Sequence, residues 1–140
     1  MSILQRDIAG SRVLDLFAGS GALGLETLSR GALSTDFVES DPKTIRVLRQ
    51  NIELLGASDD TVIHKGDAIR FVERLGKGVY DLAVADPPYS GGLALKLAEV
   101  WLERPFARIL SVEHDSREQL PGASETRRYG SSAITFYREE

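Results

Sequence analysis

The sequence predicts a doubly wound α/β fold with a mostly parallel sheet, and three observations lead to that prediction. Short apolar segments alternate with segments of helical period, a glycine-rich turn follows the first apolar segment, and the chain ends in two segments joined by a short turn. Alternating strands and helices favour a parallel sheet with helices on both faces, because each right-handed crossover must pack back onto the sheet. Ligands of such sheets bind at the carboxyl ends of the strands, where the strand order reverses.

The predicted strands are short and rich in apolar residues. They lie at residues 12–17, 35–39, 61–64, 80–85 and 108–113. The predicted helices lie at residues 22–29, 42–55, 68–75 and 93–102. The second helix has the clearest boundaries, since Asp41 is suited to cap its first turn, Pro42 to occupy its first position and Gly56 to end it. Segments 125–129 and 133–137 flank Gly130-Ser131-Ser132, which predicts an antiparallel hairpin.

The composition is that of a globular protein. The length of 140 residues predicts one compact domain spanning residues 1–140, with 42% hydrophobic and 27% charged residues. The sequence contains no cysteine, which excludes disulfides, cysteine-ligated zinc and a thiol nucleophile. Because His64 and His114 are its only histidines, no bound metal is expected. The net charge of −4 disfavours a protein that holds nucleic acid by bulk charge, although a local basic patch can still bind RNA.

The sequence shows no membrane signal. No apolar run approaches the length of a transmembrane helix. The first residues, from Met1 to Asp7, lack the basic and apolar pattern of a leader peptide. We therefore expect a cytoplasmic protein that does not bind membranes, and a monomer.

A glycine-rich motif follows the first predicted strand. Gly19-Ser20-Gly21-Ala22-Leu23-Gly24 fits the pattern G-x-G-x-x-G between a strand and a helix. Glycines at these positions permit a tight turn and let a ligand approach the backbone N–H groups of the helix N-terminus. The other interpretation is a turn that needs glycine only for its backbone angles. The strand–turn–helix context favours ligand binding.

Two carboxylates accompany this motif. Glu39 ends the second predicted strand, twenty residues after Gly19, where a carboxylate can accept hydrogen bonds from both ribose hydroxyls of an adenosine. Asp15 lies near the end of the first strand, where it would attract the ammonium and sulfonium groups of S-adenosylmethionine and repel a pyrophosphate. A buried acid held by backbone N–H groups is the alternative for Asp15. The short chain also leaves no separate substrate domain for a dehydrogenase, so S-adenosylmethionine is favoured over NAD or FAD.

A second candidate site, Asp86-Pro87-Pro88-Tyr89, follows the fourth predicted strand. The exocyclic amine of a nucleic-acid base is a poor nucleophile, because its lone pair is delocalised into the ring. The Asp86 carboxylate and a carbonyl of the proline segment could accept its N–H bonds and free the lone pair, and the two prolines fix the backbone beforehand. Tyr89 offers a ring on which an extruded base can stack. A rigid strand-end turn with a packed aromatic ring is the alternative interpretation.

The residues around both motifs resemble one family. Residues 13–26 (Val-Leu-Asp-Leu-Phe-Ala-Gly-Ser-Gly-Ala-Leu-Gly-Leu-Glu), residues 28–32 (Leu-Ser-Arg-Gly-Ala) and the Asp-Pro-Pro-Tyr segment are similar to the bacterial 16S rRNA guanine-N2 methyltransferase family. Many amino-methyltransferases share the glycine loop and the Asp-Pro-Pro-Tyr segment. The run Leu-Phe-Ala-Gly-Ser-Gly-Ala-Leu-Gly is much more specific to this family. The resemblance implies a seven-stranded, Rossmann-like class I methyltransferase fold with a C-terminal antiparallel strand pair. It also implies S-adenosylmethionine as methyl donor, with S-adenosylhomocysteine as product.

The same resemblance implies the site residues. The cofactor would be bound by the glycine loop and the neighbouring strand ends. These residues are Asp15, Phe17, Ala18, Gly19, Ser20, Gly21, Glu39, Ser40, Asp67, Ala68 and Asp86. Asp67 would lie near the adenine amino group, with a helix N-cap as its other interpretation. The target guanine would be held by the catalytic segment Asp86, Pro87, Pro88 and Tyr89, in ribosomal RNA or a small ribosomal subunit particle.

Alternative functions remain compatible with these motifs. Family members usually carry a longer, basic segment before the first strand, and the sequence has no such segment there. A non-catalytic cofactor-binding module is therefore one alternative. A related methyltransferase that acts on adenine N6 or on a glutamine amide is another, since the Asp-Pro-Pro-Tyr segment suits any planar amine. A small dinucleotide-binding domain is the least favoured.

Overall fold

A computed structural model describes residues 5–123 and 125–139 of the chain. Residues 1–4, on which part of the leader-peptide expectation falls, lie outside the described residues. The helices are α1 (Gln5–Ile8), α2 (Ala22–Ser29), α3 (Pro42–Leu54), α4 (Ala68–Glu73) and α5 (Leu93–Glu103), with a 3-10 turn at Ser58–Asp60. The strands are β1 (Arg12–Leu16), β2 (Ser34–Glu39), β3 (Thr61–Lys65), β4 (Tyr80–Ala85), β5 (Ala107–Asp115), β6 (Glu125–Tyr129) and β7 (Ser132–Arg138).

The seven strands form one sheet in the order β3-β2-β1-β4-β5-β7-β6. Strands β1 to β5 are mutually parallel, whereas β7 runs antiparallel to β5 and β6 antiparallel to β7. This arrangement confirms the predicted doubly wound fold with an antiparallel hairpin at its end.

The strand order reverses between β1 and β4. The chain first builds outward from β1 through β2 to β3 and then crosses back to place β4 on the other side of β1. Leu16 of β1 is paired with Val38 of β2 and with Ala85 of β4. The residues that follow these three positions therefore meet at one edge of the sheet, which is where open α/β sheets bind ligands.

Helices cover both faces of the sheet. In β2, Phe37 packs with residues of α2 and α3, whereas the next residue, Val38, packs with α4 and α5. Successive side chains of a strand point to opposite faces, so this division places the two helix pairs on opposite sides. Trp101 of α5 is buried and donates a hydrogen bond from Nε1 to the Ala107 oxygen at 2.9 Å. Both faces of the central strands are thus covered, which explains their continuous apolar sequence.

The predicted element boundaries agree with the structure to within two residues. Strand β1 ends at Leu16, because Phe17 adopts a left-handed backbone conformation with φ of 57°. Helix α4 ends at Glu73 rather than at residue 75, and the 3-10 turn and α1 have no counterpart in the prediction. Strand β7 begins at Ser132, which was predicted to be in the turn.

The described residues contain neither a membrane-spanning helix nor a group of metal-binding side chains. No helix within residues 5–123 and 125–139 is long and apolar enough to cross a bilayer. Over the same ranges, no three acidic, histidine or cysteine side chains are grouped so that they could hold a metal ion.

Candidate functional site

The glycine loop turns sharply between β1 and α2. Gly19 and Gly21 have φ angles of 59° and 86°, a region that favours glycine. A Cβ atom at Gly19 would meet no atom within 4 Å, whereas a Cβ atom at Gly21 would collide with the Leu48 side chain of α3. Asn51 of α3 also donates a hydrogen bond from Nδ2 to the Ser20 oxygen at 2.9 Å. The loop is therefore fixed on its inner side by α3 and has open space beside Gly19.

Glu39 joins the end of β2 to this loop. Its Oε1 accepts a hydrogen bond from the Gly19 N–H at 2.9 Å, and its Oε2 accepts from the N–H groups of Ser40 and Asp41 at 3.0 Å each. The sequence prediction paired Glu39 with the glycine loop, and the structure brings the two together. A carboxylate has about four acceptor sites. Three are used by backbone N–H groups, so a ribose with two hydroxyl donors would have to displace one of these bonds.

Asp15 is almost completely buried at the end of β1, with 1% of its surface exposed. Its Oδ2 accepts a hydrogen bond from the Gly24 N–H at 2.9 Å. Burial raises the pKa of Asp15 to about 8, the Gly24 bond opposes this shift, and the charges of Asp86 and Glu39 add to it. The observed contact is the one expected for a buried acid held by backbone N–H groups. The same carboxyl group lies close enough to Asp86 and Glu39 to sense their charges.

Asp67 caps α4 and lies next to a turn that is tied to Glu39. Its Oδ2 accepts a hydrogen bond from the Arg70 N–H at 2.9 Å, which is the N-cap interpretation. The preceding Gly66 donates its N–H to the Glu39 backbone oxygen at 3.0 Å. Asp67 is exposed and Ala68 is buried. Asp41, predicted as a helix cap, accepts a hydrogen bond from the Thr44 N–H at 2.9 Å and caps α3.

The Asp-Pro-Pro-Tyr segment leaves β4 at the same edge of the sheet. Asp86, Pro88 and Tyr89 are exposed, whereas Pro87 is buried and anchors the segment. The Tyr89 hydroxyl forms a hydrogen bond of 2.8 Å with Ser132 Oγ at the start of β7. This bond holds the tyrosine by its hydroxyl while 47% of the residue remains exposed. The ring is thereby available for stacking.

Glu113 completes the group of acids, and the sequence analysis did not identify it. The parallel register pairs Ala85 with Val112, so Asp86 and Glu113 are the next residues along β4 and β5. Partial burial, together with hydrogen bonding to Asp86 and the charge of Asp86, raises the pKa of Glu113. The contact depends on the alignment of β5 against β4, which no local sequence pattern reveals.

Four neighbouring strands thus each bring one carboxyl group to the candidate site. The strands are β2, β1, β4 and β5, and the groups are those of Glu39, Asp15, Asp86 and Glu113. An edge of this kind attracts cations and repels phosphate groups. The predicted cofactor residues on the glycine loop and the predicted catalytic segment lie at the ends of adjacent strands, β1 and β4.

Among the solved structures that resemble this chain are two described as methyltransferases. The "Putative methyltransferase yhhF from Escherichia coli" has a TM-score of 0.85 and 27% identity, covering 99% of this chain and 81% of that protein. An RNA methyltransferase from Salinibacter ruber, solved with S-adenosyl-L-homocysteine, has a TM-score of 0.76 and 15% identity over 98% of this chain and 87% of that one. The fold is therefore that of the Rossmann-like methyltransferases, as the sequence resemblance implied.

The chain belongs to the protein family described as conserved hypothetical protein 95, which matches residues 1–138. The "Putative rRNA methyltransferase YlbH" of Bacillus subtilis is 30% identical over 93% of this chain and 77% of its own length. Ribosomal RNA small subunit methyltransferase D of Buchnera aphidicola is 37% identical over 66% of this chain and 48% of its own length. The matched region thus spans about half of that relative. The family resemblance stated from the motifs is confirmed by these matches.

Proposed function

We propose that this chain transfers a methyl group from S-adenosylmethionine to the exocyclic N2 amine of a guanine in 16S ribosomal RNA. The observation that carries the proposal is the position of Asp86-Pro87-Pro88-Tyr89 at the end of β4, directly beside the glycine loop at the end of β1. The names of the relatives support an RNA substrate, and the S-adenosylhomocysteine of the Salinibacter ruber protein supports the cofactor.

The residues at the sheet edge fit S-adenosylmethionine better than a dinucleotide. Gly19 has open space beside it, and the carboxyl groups of Glu39 and Asp86, whose charges act on Asp15, make the edge acidic. Positive groups of a ligand are stabilised at such an edge, whereas a pyrophosphate is repelled. The remaining cofactor contacts would come from Phe17, Ala18, Ser20, Gly21, Ser40, Asp67 and Ala68. The cofactor supplies a methyl group on a sulfonium sulfur, which is its leaving group.

The chain's own residues would bind and orient the amine. The Asp86 carboxylate accepts one N–H of the amine, and a carbonyl of the Pro87-Pro88 segment accepts the other, so the nitrogen lone pair points towards the methyl group. The new N–C bond forms as the C–S bond breaks, and the proton that the nitrogen then loses passes to Asp86 or to water. Tyr89, held by Ser132, stacks on the base. No covalent enzyme intermediate is required.

The expected partner is ribosomal RNA or a small ribosomal subunit particle, bound by a monomer in the cytoplasm. Methyl transfer to adenine N6 or to a glutamine amide, and cofactor binding without transfer, are the competing outcomes. They are distinguished by the methylated product.

Methyl transfer to 16S ribosomal RNA and to small-subunit particles tests the proposal. We expect nuclease digestion and mass spectrometry to identify N2-methylguanosine and to map its position. Asp86→Ala should lower turnover at least about a hundredfold, as for the loss of one preorganised polar contact to the reacting group. Its affinity for S-adenosylmethionine should stay within a few-fold of the wild type, because the glycine loop and Glu39 still contact the cofactor.

Asp59→Ala is the matched control, since Asp59 is an exposed acid in the 3-10 turn away from the sheet edge. It should retain wild-type turnover. Wild-type turnover in Asp86→Ala would remove Asp86 from the mechanism, and N6-methyladenosine as the sole product would overturn the proposed substrate.

A further inference from the structure

Glu113 and Asp86 form a pair of carboxyl groups at the carboxyl ends of β4 and β5. They follow the register pair Ala85 and Val112, and Glu113 is close enough to Asp86 to sense its charge. Asp86 is exposed and Glu113 is half-buried, so the pair borders the open edge of the sheet. The same segment carries Tyr89, whose exposed ring is anchored to Ser132. The pair and Tyr89 therefore belong to the same edge of the sheet.

Two carboxyl groups placed side by side disfavour each other's ionised form, because like charges repel. The raised pKa of Glu113 agrees with this arrangement. Glu39, the acid at the end of β2, adds further negative charge at the same edge. A carboxyl group has several acceptor sites, so each member of the pair keeps acceptors that can face a ligand.

We propose that Glu113 is a specificity-determining residue, whose carboxyl oxygen accepts the ring N1–H of the target guanine while Asp86 accepts an N–H of its N2 amine. This inference rests on the proposed methyl transfer. Guanine presents two adjacent donors, N1–H and N2–H, to such a pair. Adenine presents an acceptor, N1, beside its N6 amine, so one carboxyl oxygen would face a lone pair. A site with two fixed acceptors, one of them on the half-buried Glu113, disfavours a base that leaves one unpaired.

The nucleotide analogue 2-aminopurine separates this role from amine binding. It has the same exocyclic N2 amine as guanine, but its ring N1 is an acceptor without hydrogen. The substrates are two synthetic RNAs that span the position mapped for the wild type, with guanine or 2-aminopurine at that position. We expect wild-type kcat/KM to favour guanine by about tenfold or more, the usual effect of one hydrogen bond to a charged group.

Glu113→Gln changes the acceptor without changing the size of the side chain. Its amide can donate to N1 of 2-aminopurine, so the preference for guanine should fall to within a few-fold. Glu103→Gln is the matched control, since Glu103 is exposed at the end of α5, and it should keep the wild-type ratio. A merely structural role of Glu113 would lower both rates together and leave the ratio unchanged.

Thermal unfolding with and without S-adenosylmethionine establishes that each variant is folded. If Glu113→Gln does not fold, Glu113→Ala replaces it, and the ratio of kcat/KM for the guanine and 2-aminopurine RNAs is again the quantity measured. An unchanged ratio in a folded Glu113 variant, or a wild type without preference for guanine, overturns the inference and leaves the proposed methyl transfer intact. A wild type that methylates no guanine in either RNA substrate overturns both.

Discussion

At the scale of single residues, the most unusual group is the Asp15 carboxyl. It lies at the end of a central strand with 1% of its surface exposed, and its pKa is raised to about 8, chiefly by burial. At neutral pH the free protein therefore holds this group largely protonated. A cationic ligand at the sheet edge favours the ionised form, because opposite charges stabilise each other. We therefore expect a cationic ligand bound beside Asp15 to favour loss of its proton.

We predict that Asp15→Asn removes a pH-dependent loss of stability. Between the unfolded pKa of 3.8 and the folded value of about 8, the folded protein binds the proton and the unfolded chain does not. The free energy of unfolding of the wild type therefore falls as pH rises through this window. The asparagine can still accept the Gly24 N–H but does not titrate.

Thermal midpoints of both proteins at pH 5, 6.5 and 8, about evenly spaced across this window, measure the effect. The variant should gain on the wild type as pH rises, and the gain should level off above pH 8. A difference between the two proteins that stays constant with pH would show that the folded pKa of Asp15 is not raised.

At the scale of elements, local features of the sequence were sufficient to predict the order of strands and helices. The caps of α3, the glycine turn after β1 and the turn of the final hairpin are all local features, and their chemistry can be read without the fold. The pairing of Glu39 with the glycine loop was also predictable, because both follow adjacent strands. The contact between Asp86 and Glu113 was not, since it requires the register of β5 against β4. Strand register is decided by packing across the whole sheet.

Two glycines of the loop, Gly19 and Gly21, allow the cost of backbone strain to be separated from the cost of a packing collision. Gly21→Ala should lower the free energy of unfolding by about 2–4 kcal/mol, because a left-handed residue with a Cβ is strained and this Cβ also collides with the buried Leu48. Gly19→Ala should cost only about 1–2 kcal/mol, since its Cβ meets open space. Its methyl group would instead fill the space proposed for the cofactor.

Chemical denaturation and cofactor titration of both variants test this contrast. Gly19→Ala should fold well and bind S-adenosylmethionine poorly, whereas Gly21→Ala should lose mainly stability. Equal cofactor affinity in Gly19→Ala and the wild type would mean that the ligand does not approach this glycine.

At the scale of the whole molecule, the acidic edge is a consequence of topology. Glu39, Asp15, Asp86 and Glu113 are far apart in sequence, and the order β2-β1-β4-β5 sets them side by side. The net charge of −4 gives no indication of this concentration, because it is a sum over the chain. The arrangement bears on ligand choice, since each carboxyl group adds to the same local potential.

Thermal unfolding with S-adenosylmethionine, S-adenosylhomocysteine and NAD in parallel tests this property of the folded molecule. A ligand at about a hundred times its Kd should add roughly 2.7 kcal/mol to the free energy of unfolding. For a domain of this size, that corresponds to a rise of about 9 °C in the midpoint. At equal concentrations we expect S-adenosylmethionine to raise the midpoint more than S-adenosylhomocysteine, because its sulfonium charge faces the acidic edge. NAD should have no effect, since its pyrophosphate is repelled there.

A rise with NAD alone would contradict both the proposed cofactor and the electrostatic argument. An equal rise in the midpoint with both adenosyl compounds would support the proposed cofactor. It would contradict the proposed contact between the sulfonium and the carboxyl groups.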